Sequence, residues 1–90
     1  MVWRIEFDGR AKRELDAIDP QNGRRILTFL HDRLARLDDP RILGEALRGQ
    51  KLGAFWKYRV GDFRIIVDID DAAIRILVVR IGNRRDVYRR

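Results

Sequence analysis

The sequence predicts an α+β domain of order β-α-α-β-β-β, in which a helical hairpin covers one face of an antiparallel sheet. Three observations predict this fold. The first apolar segment alternates with charged residues, the next two have helical spacing, and the last three are apolar runs joined by tight turns. Since 90 residues provide one modest core, we expect residues 1–90 to form a single domain.

The first strand is predicted over residues 2–7, where Trp3, Ile5 and Phe7 alternate with charged side chains. Asp8 is a typical N-cap for a short helix after this strand. The apolar residues of that helix recur at spacings of four and three, which indicates one buried face: Ala11, Leu15 and Ile18.

A second helix is predicted to begin at Asp19-Pro20, because aspartate caps free amides and proline fits the first helical position. The helix is predicted to break at Asp38-Asp39-Pro40, since proline disfavours helical geometry in the residue before it. Its predicted buried stripe is Ile26, Leu27, Leu30, Leu34 and Leu37. The two helices are expected to form an antiparallel hairpin.

Residues 41–53 contain three glycines and are interpreted as a connecting loop. Three strands are predicted after the loop, over residues 54–60, 63–69 and 73–81. Gly61-Asp62 joins the first two, and glycine at the first turn position is typical of a type II′ hairpin. A second turn at residues 70–72 completes the predicted antiparallel meander.

The basic charge is concentrated in the second half of the chain. Lys and Arg number 20, and Asp and Glu number 14, for a net charge of +6. Residues 1–40 carry eight basic and eight acidic side chains, whereas residues 41–90 carry twelve and six. Seventeen of the basic residues are arginine, whose planar guanidinium binds phosphate through two parallel hydrogen bonds. This distribution indicates a polyanionic partner.

Several classes of protein and site are excluded by what the sequence lacks. It has no cysteine or serine, so thiolate and serine nucleophiles and cysteine zinc sites are excluded. No apolar run approaches the roughly 18 residues of a membrane span, and the N-terminus lacks the apolar core of a signal peptide. We therefore expect a cytoplasmic protein. His31, the single histidine, has no further ligands in its pattern, and no metal site is expected.

A basic patch is predicted on the meander. Strand alternation places Lys57 and Arg59 on one face and Tyr58 on the other, with Arg64 within reach on the next strand. Further candidates follow the last strand: Arg84, Arg85 and Tyr88. Cations beside a phenol can bind phosphate and stack a base. A solvated sheet face, with arginine stems covering apolar surface, is the alternative interpretation.

These residues are part of a longer set of motifs that resembles the RelE family of bacterial toxins. The resemblance covers essentially the whole chain and rests on Leu47-Arg48-Gly49, the strand pair from Phe55 to Ile66, and the run from Ile81 to Tyr88. It implies a RelE-like fold and the toxin of a type II toxin-antitoxin system. It also implies a ribosome-dependent mRNA endoribonuclease, or mRNA interferase, that inhibits translation.

The resemblance implies a catalytic set consisting of Lys57, Arg59, Arg64, Arg84 and Tyr88. Three further cations are expected to bind RNA: Arg48, Lys51 and Arg85. The implied reaction is attack of the ribose 2′-hydroxyl on its own phosphate, with no metal or other cofactor. Since arginine stays protonated, Lys57 is the expected base, and Arg84 is expected to neutralise or protonate the leaving oxygen. Asn83 stands where many relatives have a histidine, and an amide cannot exchange protons.

The implied partners are a RelB-like antitoxin, the ribosomal A site and mRNA. We expect a toxin-antitoxin hetero-oligomer and no membrane association. Two alternatives stay open. A ParE-like gyrase-inhibiting toxin shares the fold but lacks the basic catalytic set, and a noncatalytic RNA- or ribosome-binding module would use the same positive face without cleavage.

Overall fold

Five strands form one sheet in the order β1-β5-β4-β3-β2. The computed structural model describes residues 2–47 and 55–83. The strands are β1 (Arg4–Phe7), β2 (Glu45–Ala46), β3 (Phe55–Val60), β4 (Phe63–Asp70) and β5 (Arg75–Asn83). β3, β4 and β5 are antiparallel neighbours, as the predicted meander requires, and the α+β class is confirmed.

β1 departs from the predicted antiparallel sheet. It lies parallel to β5, with Arg4 opposite Arg75 and Phe7 opposite Val78. Parallel neighbours need a long crossover connection, and both helices and three strands separate β1 from β5 along the chain. The sheet is therefore mixed. An alternating pattern identifies a strand and its faces, but it carries no information on the direction of the neighbouring strand.

β1 is followed by two α-helices, α1 (Gly9–Ala17) and α2 (Pro20–Thr28). Both begin at the predicted caps. The Asp8 carboxylate accepts a hydrogen bond from the amide of Ala11 at 3.0 Å, and Asp19 accepts one from Asn22 at 3.1 Å. Each cap satisfies an amide that has no partner within its helix.

The helical path continues beyond α2 in altered geometry. A π-helical segment spans Phe29–Arg33 and a 3₁₀ turn spans Leu34–Arg36, where we predicted an unbroken helix. Of the predicted stripe, Ile26, Leu30 and Leu34 are fully buried, whereas Leu27 and Leu37 are only partly buried. None of the helices in the described ranges is both long and apolar enough to cross a membrane.

The predicted loop at residues 41–53 is partly wrong. A 3₁₀ helix spans Pro40–Leu43, and β2 then pairs antiparallel with β3 as the edge of the sheet. Residues 48–53 lie outside the described residues. A strand of two residues is too short to show a period, so the pattern had no means of indicating β2.

The two turns of the meander differ in backbone strain. Gly61 has a φ of 58°, whereas the φ of Asp62 is negative, which is the combination a type II′ turn requires. The second turn covers residues 71–74, and β5 begins at residue 75 instead of the predicted 73. Ile74 has a φ of 50°, a strained conformation for a β-branched residue. Its carbonyl accepts a hydrogen bond from the amide of Arg4 at 2.9 Å, so β1 holds this turn in place.

Apolar residues pack on both faces of the sheet. The larger cluster joins the helices to one face and contains, among others, Trp3, Ala11, Ile26, Leu30, Leu34, Tyr58, Ile65, Val67, Ile76, Val78 and Ile81. A smaller cluster on the opposite face is formed by Leu47, Ile66, Phe55 and Val79. The basic residues of β3 and β4 lie beside the smaller cluster.

Glu14 of α1 hydrogen-bonds to the edge of β5 where β1 no longer pairs with it. Pairing with β1 stops at Val78, so the edge of β5 is uncovered beyond that residue. The Glu14 carboxylate accepts hydrogen bonds from the amide of Ile81 at 2.9 Å and from Nε of Arg80 at 3.1 Å. An anionic acceptor makes both bonds stronger than neutral ones, and it ties α1 to the strand that leads into Arg84.

Candidate nucleic-acid interface

Three predicted cations meet on the face of the sheet opposite the helices. Tyr58 and Ile65 are buried in the main core. Since side chains alternate along a strand, their neighbours Lys57, Arg59 and Arg64 face the other way. Arg59 lies directly opposite Arg64 in the β3-β4 pair, and Lys57 is two residues along the same strand. We call these three residues the basic face.

The two arginines of the basic face differ in their surroundings. Arg59 is exposed, and its Nε donates to the Gly61 carbonyl at 3.4 Å. Arg64 is half-buried, and its Nη1 atom is buried without a hydrogen-bond partner among the described residues. A buried cationic donor with no acceptor is costly. An anion bound to Arg64 would supply the missing acceptor only if Nη1, which has no exposed surface, turned towards it.

Glu45 is a contact that sequence reasoning missed. It lies opposite Lys57 across the β2-β3 pair, and its Oε2 is 3.6 Å from Nζ of Lys57. The Glu45 side chain is 78% exposed and that of Lys57 is 32% exposed, so the ion pair contributes little to stability. The ion pair instead orients Lys57, because Glu45 holds its ammonium group on the basic face.

Tyr58 holds the strand that carries the basic face. It is 2% exposed, and its hydroxyl donates to the Pro40 carbonyl at 2.8 Å. Its ring lies 5.8 Å from that of Phe29. Burial raises the pKa of the Tyr58 phenol above its ordinary value, so this group stays protonated. Tyr58 therefore positions β3 against the Pro40–Leu43 helix.

Arg41 fastens the same segment to the far turn of the meander. Its two Nη atoms donate to the Asp71 carboxylate at 3.2 and 2.7 Å, and Nη1 also lies 3.2 Å from Asp39. The hydrogen bonds to the Asp71 carboxylate raise the pKa of the Arg41 guanidinium further. The guanidinium carbon is 6.0 Å from the centre of the Trp56 ring. Arg41 thus ties the Pro40–Leu43 helix to the turn between β4 and β5.

The other predicted site residues lie outside the described residues: Arg48, Lys51, Arg84, Arg85 and Tyr88. β5 ends at Asn83, which is exposed and lies opposite Phe63, the neighbour of Arg64 on β4. Within the described ranges, no three His, Asp or Glu side chains form a group suited to a metal ion. The described chemistry of this face is that of cations able to bind an anion.

Comparisons with known proteins agree with the resemblance. The model of a family described as the ParE toxin of type II toxin-antitoxin systems, parDE, matches residues 5–88. Toxin RelG of Mycobacterium tuberculosis is 30% identical over 90 residues, which cover 100% of both chains.

Solved structures share the fold. The RelBE2 toxin-antitoxin complex of Mycobacterium tuberculosis matches with a TM-score of 0.84 and 26% identity, over 96% of this chain and 95% of that chain. The archaeal RelE-RelB complex of Pyrococcus horikoshii matches with a TM-score of 0.74 and 23% identity, over 96% and 99%. The second likeness concerns the fold alone.

Proposed function

We propose that this chain, which belongs to the ParE toxin family of the RelE/ParE superfamily of type II toxin-antitoxin systems, is an mRNA endoribonuclease. In this proposal the toxin enters the ribosomal A site, cuts the mRNA there and so inhibits translation in the cytoplasm. The observation that carries the proposal is the basic face. Lys57, Arg59 and Arg64 share one surface, and one Nη of Arg64 lacks an acceptor among the described residues.

The proposed reaction is transesterification within the RNA. The ribose 2′-oxygen forms a bond to the adjacent phosphorus, and the bond from phosphorus to the 5′-oxygen of the next nucleotide breaks. The products are a 2′,3′-cyclic phosphate and a free 5′-hydroxyl. Lys57, in its neutral form, accepts the proton of the 2′-hydroxyl. The leaving 5′-oxygen takes its proton from Arg84 or, where Arg84 only neutralises its charge, from water. Arg59 and Arg64 bind the phosphate as its negative charge grows.

Side-chain chemistry supports the roles of the arginines, whereas the contact between Glu45 and Lys57 sets a condition on the role of Lys57 as base. Arginine is protonated at every working pH, so Arg59 and Arg64 suit charge stabilisation and not base catalysis. The neighbouring cations favour the neutral form of a lysine, whereas a carboxylate partner favours its charged form. Since Glu45 contacts Lys57, we propose that Glu45 moves away before Lys57 acts as a base.

The experiment that tests the function is to map mRNA 5′ ends in a translating extract with and without the toxin. We expect new ends within the A-site codon of ribosome-bound mRNA and far slower cutting of the same RNA without ribosomes. The Lys57→Ala variant, added at the same concentration, controls for a contaminating nuclease. Equal cutting of naked and ribosome-bound RNA would contradict the ribosome-dependent mechanism.

Two other outcomes correspond to the alternative functions. Gyrase-dependent DNA damage without new mRNA ends would favour a gyrase poison, the activity that the ParE name suggests. Binding to ribosomes without cleavage or DNA damage would favour a noncatalytic module. The basic face favours the nuclease over the gyrase poison, because phosphate chemistry needs these cations and gyrase inhibition does not.

The proposed partner is an antitoxin related to RelB, since the solved relatives are toxin-antitoxin complexes. An acidic or amphipathic segment of the antitoxin would cover the basic face or displace the C-terminal element that carries Tyr88. Opposite charge speeds the association, and apolar anchors supply most of the affinity. Co-purification with the product of the adjacent reading frame tests the pairing. A toxin that stays active when saturated with this protein would contradict neutralisation.

A further inference from the structure

A second positively charged site lies outside the basic face. A pocket of about 650 Å³ opens between α2, its π-helical continuation and the end of β3. Its lining includes three arginines, one aspartate and two apolar side chains: Arg24, Arg25, Arg33, Asp32, Phe29 and Val60. We call it the α2 pocket. The pocket is shallow and largely open to solvent.

The charges of the α2 pocket are available to a ligand. Arg24, Arg25 and Arg33 are exposed, and within the described part of the chain none of their side chains has an ion-pair or hydrogen-bond partner. Three guanidinium groups against one carboxylate leave the pocket net positive. Exposed arginines gathered around one cavity favour a ligand that carries phosphate, since each guanidinium can make two parallel bonds to it.

The pocket and the basic face approach each other at the tip of the β3-β4 hairpin. The guanidinium of Arg25 lies against Gly61, so that a Cβ atom added to this glycine would be 3.2 Å from Nη1. On the other side of the turn, Nε of Arg59 donates to the Gly61 carbonyl at 3.4 Å. One turn residue therefore contacts a cation of the pocket and a cation of the basic face.

We infer that the α2 pocket binds a nucleotide of the same mRNA strand whose phosphate lies on the basic face. Its phosphate would contact the arginines, and its base would lie against Phe29 and Val60 with Asp32 accepting from a base amino group. Phe29 suits this role because its ring is already held by Tyr58 at 5.8 Å. The inference rests on the proposed function. It adds a second contact to the RNA, so that the protein binds a length of strand as well as the phosphate that reacts.

The test uses RNA oligonucleotides of 3 and 12 nucleotides with 2′-O-methyl ribose throughout, which removes the attacking hydroxyl. Binding is measured by fluorescence anisotropy at one fixed salt concentration, because phosphate contacts depend strongly on salt. The pocket variant is Arg25→Ala with Arg33→Ala. The control is Lys12→Ala with Arg13→Ala on α1, which removes two exposed charges outside the pocket.

We expect the unmodified toxin and the control to bind the 12-mer more tightly than the 3-mer. The pocket variant should lose about tenfold in affinity for the 12-mer, because two guanidinium contacts to phosphate are lost, and keep its affinity for the 3-mer. Equal losses in pocket variant and control would overturn the inference. So would a pocket variant that binds RNA normally and loses affinity for the antitoxin, since the pocket would then hold an acidic peptide.

A second measurement guards against misfolding and separates the two proposals. Side-chain Nε-H resonances of Arg25 and Arg33 should shift with the 12-mer and not with the 3-mer, in the unmodified and folded toxin. Unchanged resonances at saturation would contradict the inference. If these resonances shift and the translating extract shows no mRNA cuts, the pocket inference stands and the proposed nuclease function fails.

Discussion

Arg59 on β3 and Arg64 on β4 are direct cross-strand partners, so two cationic side chains start from neighbouring positions of the basic face. Like charges directly opposite one another destabilise a sheet. One Nη of Arg64 is also buried without an acceptor among the described residues. The pairing is therefore unfavourable in the free protein, and we expect an anion bound by both arginines to offset the repulsion.

This pair predicts an anion-dependent stability. In chloride, Arg59→Thr should raise the free energy of unfolding by about 0.2–1 kcal/mol, because it removes the like-charge contact and places a good strand former on β3. Phosphate at equal ionic strength should stabilise the unmodified protein more than the variant. Urea unfolding in the two salts measures both effects. Equal stabilisation of protein and variant by phosphate would show that the pair binds no anion.

Side-chain chemistry predicts that cleavage and binding separate among the catalytic candidates. Lys57→Ala or Arg84→Ala should lower the cleavage step by about 10²-fold or more, the effect of losing an acid-base or charge-stabilising group. Arg59→Ala should chiefly weaken binding. Tyr88→Phe keeps the ring and removes the phenolic proton, which tests that group separately.

Single-turnover cleavage on saturating programmed ribosomes separates the two steps, provided that each variant is folded. Parental rates for both Lys57→Ala and Arg84→Ala, once bound, would mean that the basic face is only a docking surface.

Two glycines predict opposite responses to the same substitution. A Cβ atom on Gly44 would lie 2.8 Å from the Tyr58 ring, so Gly44→Ala should push the ring and weaken its bond to Pro40, at a cost of about 1–3 kcal/mol. Gly23 lies within α2 and has nothing within 4 Å of its Cβ position. Gly23→Ala should therefore stabilise by about 0.5–1 kcal/mol. Thermal unfolding measures both, and a stabilising Gly44→Ala would contradict the packing around Tyr58.

The α2 cap predicts a dependence on pH. Hydrogen bonds from the Asn22 side chain and amide hold the pKa of Asp19 below its ordinary value. A lowered pKa in the folded state means that the stabilisation is present above the unfolded pKa, near 3.8, and is lost as the pH falls through the folded value. Asp19→Asn keeps an acceptor and does not titrate, so its stability should fall less than that of the unmodified protein.

The measurement for the cap is the free energy of unfolding at neutral pH and below the unfolded pKa of aspartate. Asp16→Asn, an exposed carboxylate inside α1, is the matched control. If Asp19→Asn loses as much free energy of unfolding at low pH as Asp16→Asn does, Asp19 does not contribute to the loss of stability in acid.

Local pattern was enough to predict the part of the site that lies on regular strands. The alternation from Trp56 to Val60 places Lys57 and Arg59 on one face whatever the rest of the chain does, because side chains of a strand alternate by geometry. The glycine at position 61 then sets a two-residue turn, and the turn sets the register that brings Arg64 opposite Arg59. The caps at Asp8 and Asp19 were predictable for the same reason, because each carboxylate bonds to an amide three residues along the chain.

Long-range packing decided the remainder. The parallel pairing of β1 with β5, the short strand β2 and the contact of Glu45 with Lys57 all join segments that are distant in sequence. No local period encodes such pairings, because they depend on which faces are left to be covered once the core has formed. The strained φ of Ile74 has the same origin: local preference opposes it, and the hydrogen bond from Arg4 and the surrounding core hold it. The meeting of Arg25 with Gly61, and with it the α2 pocket, likewise exists only once α2 has packed on the sheet.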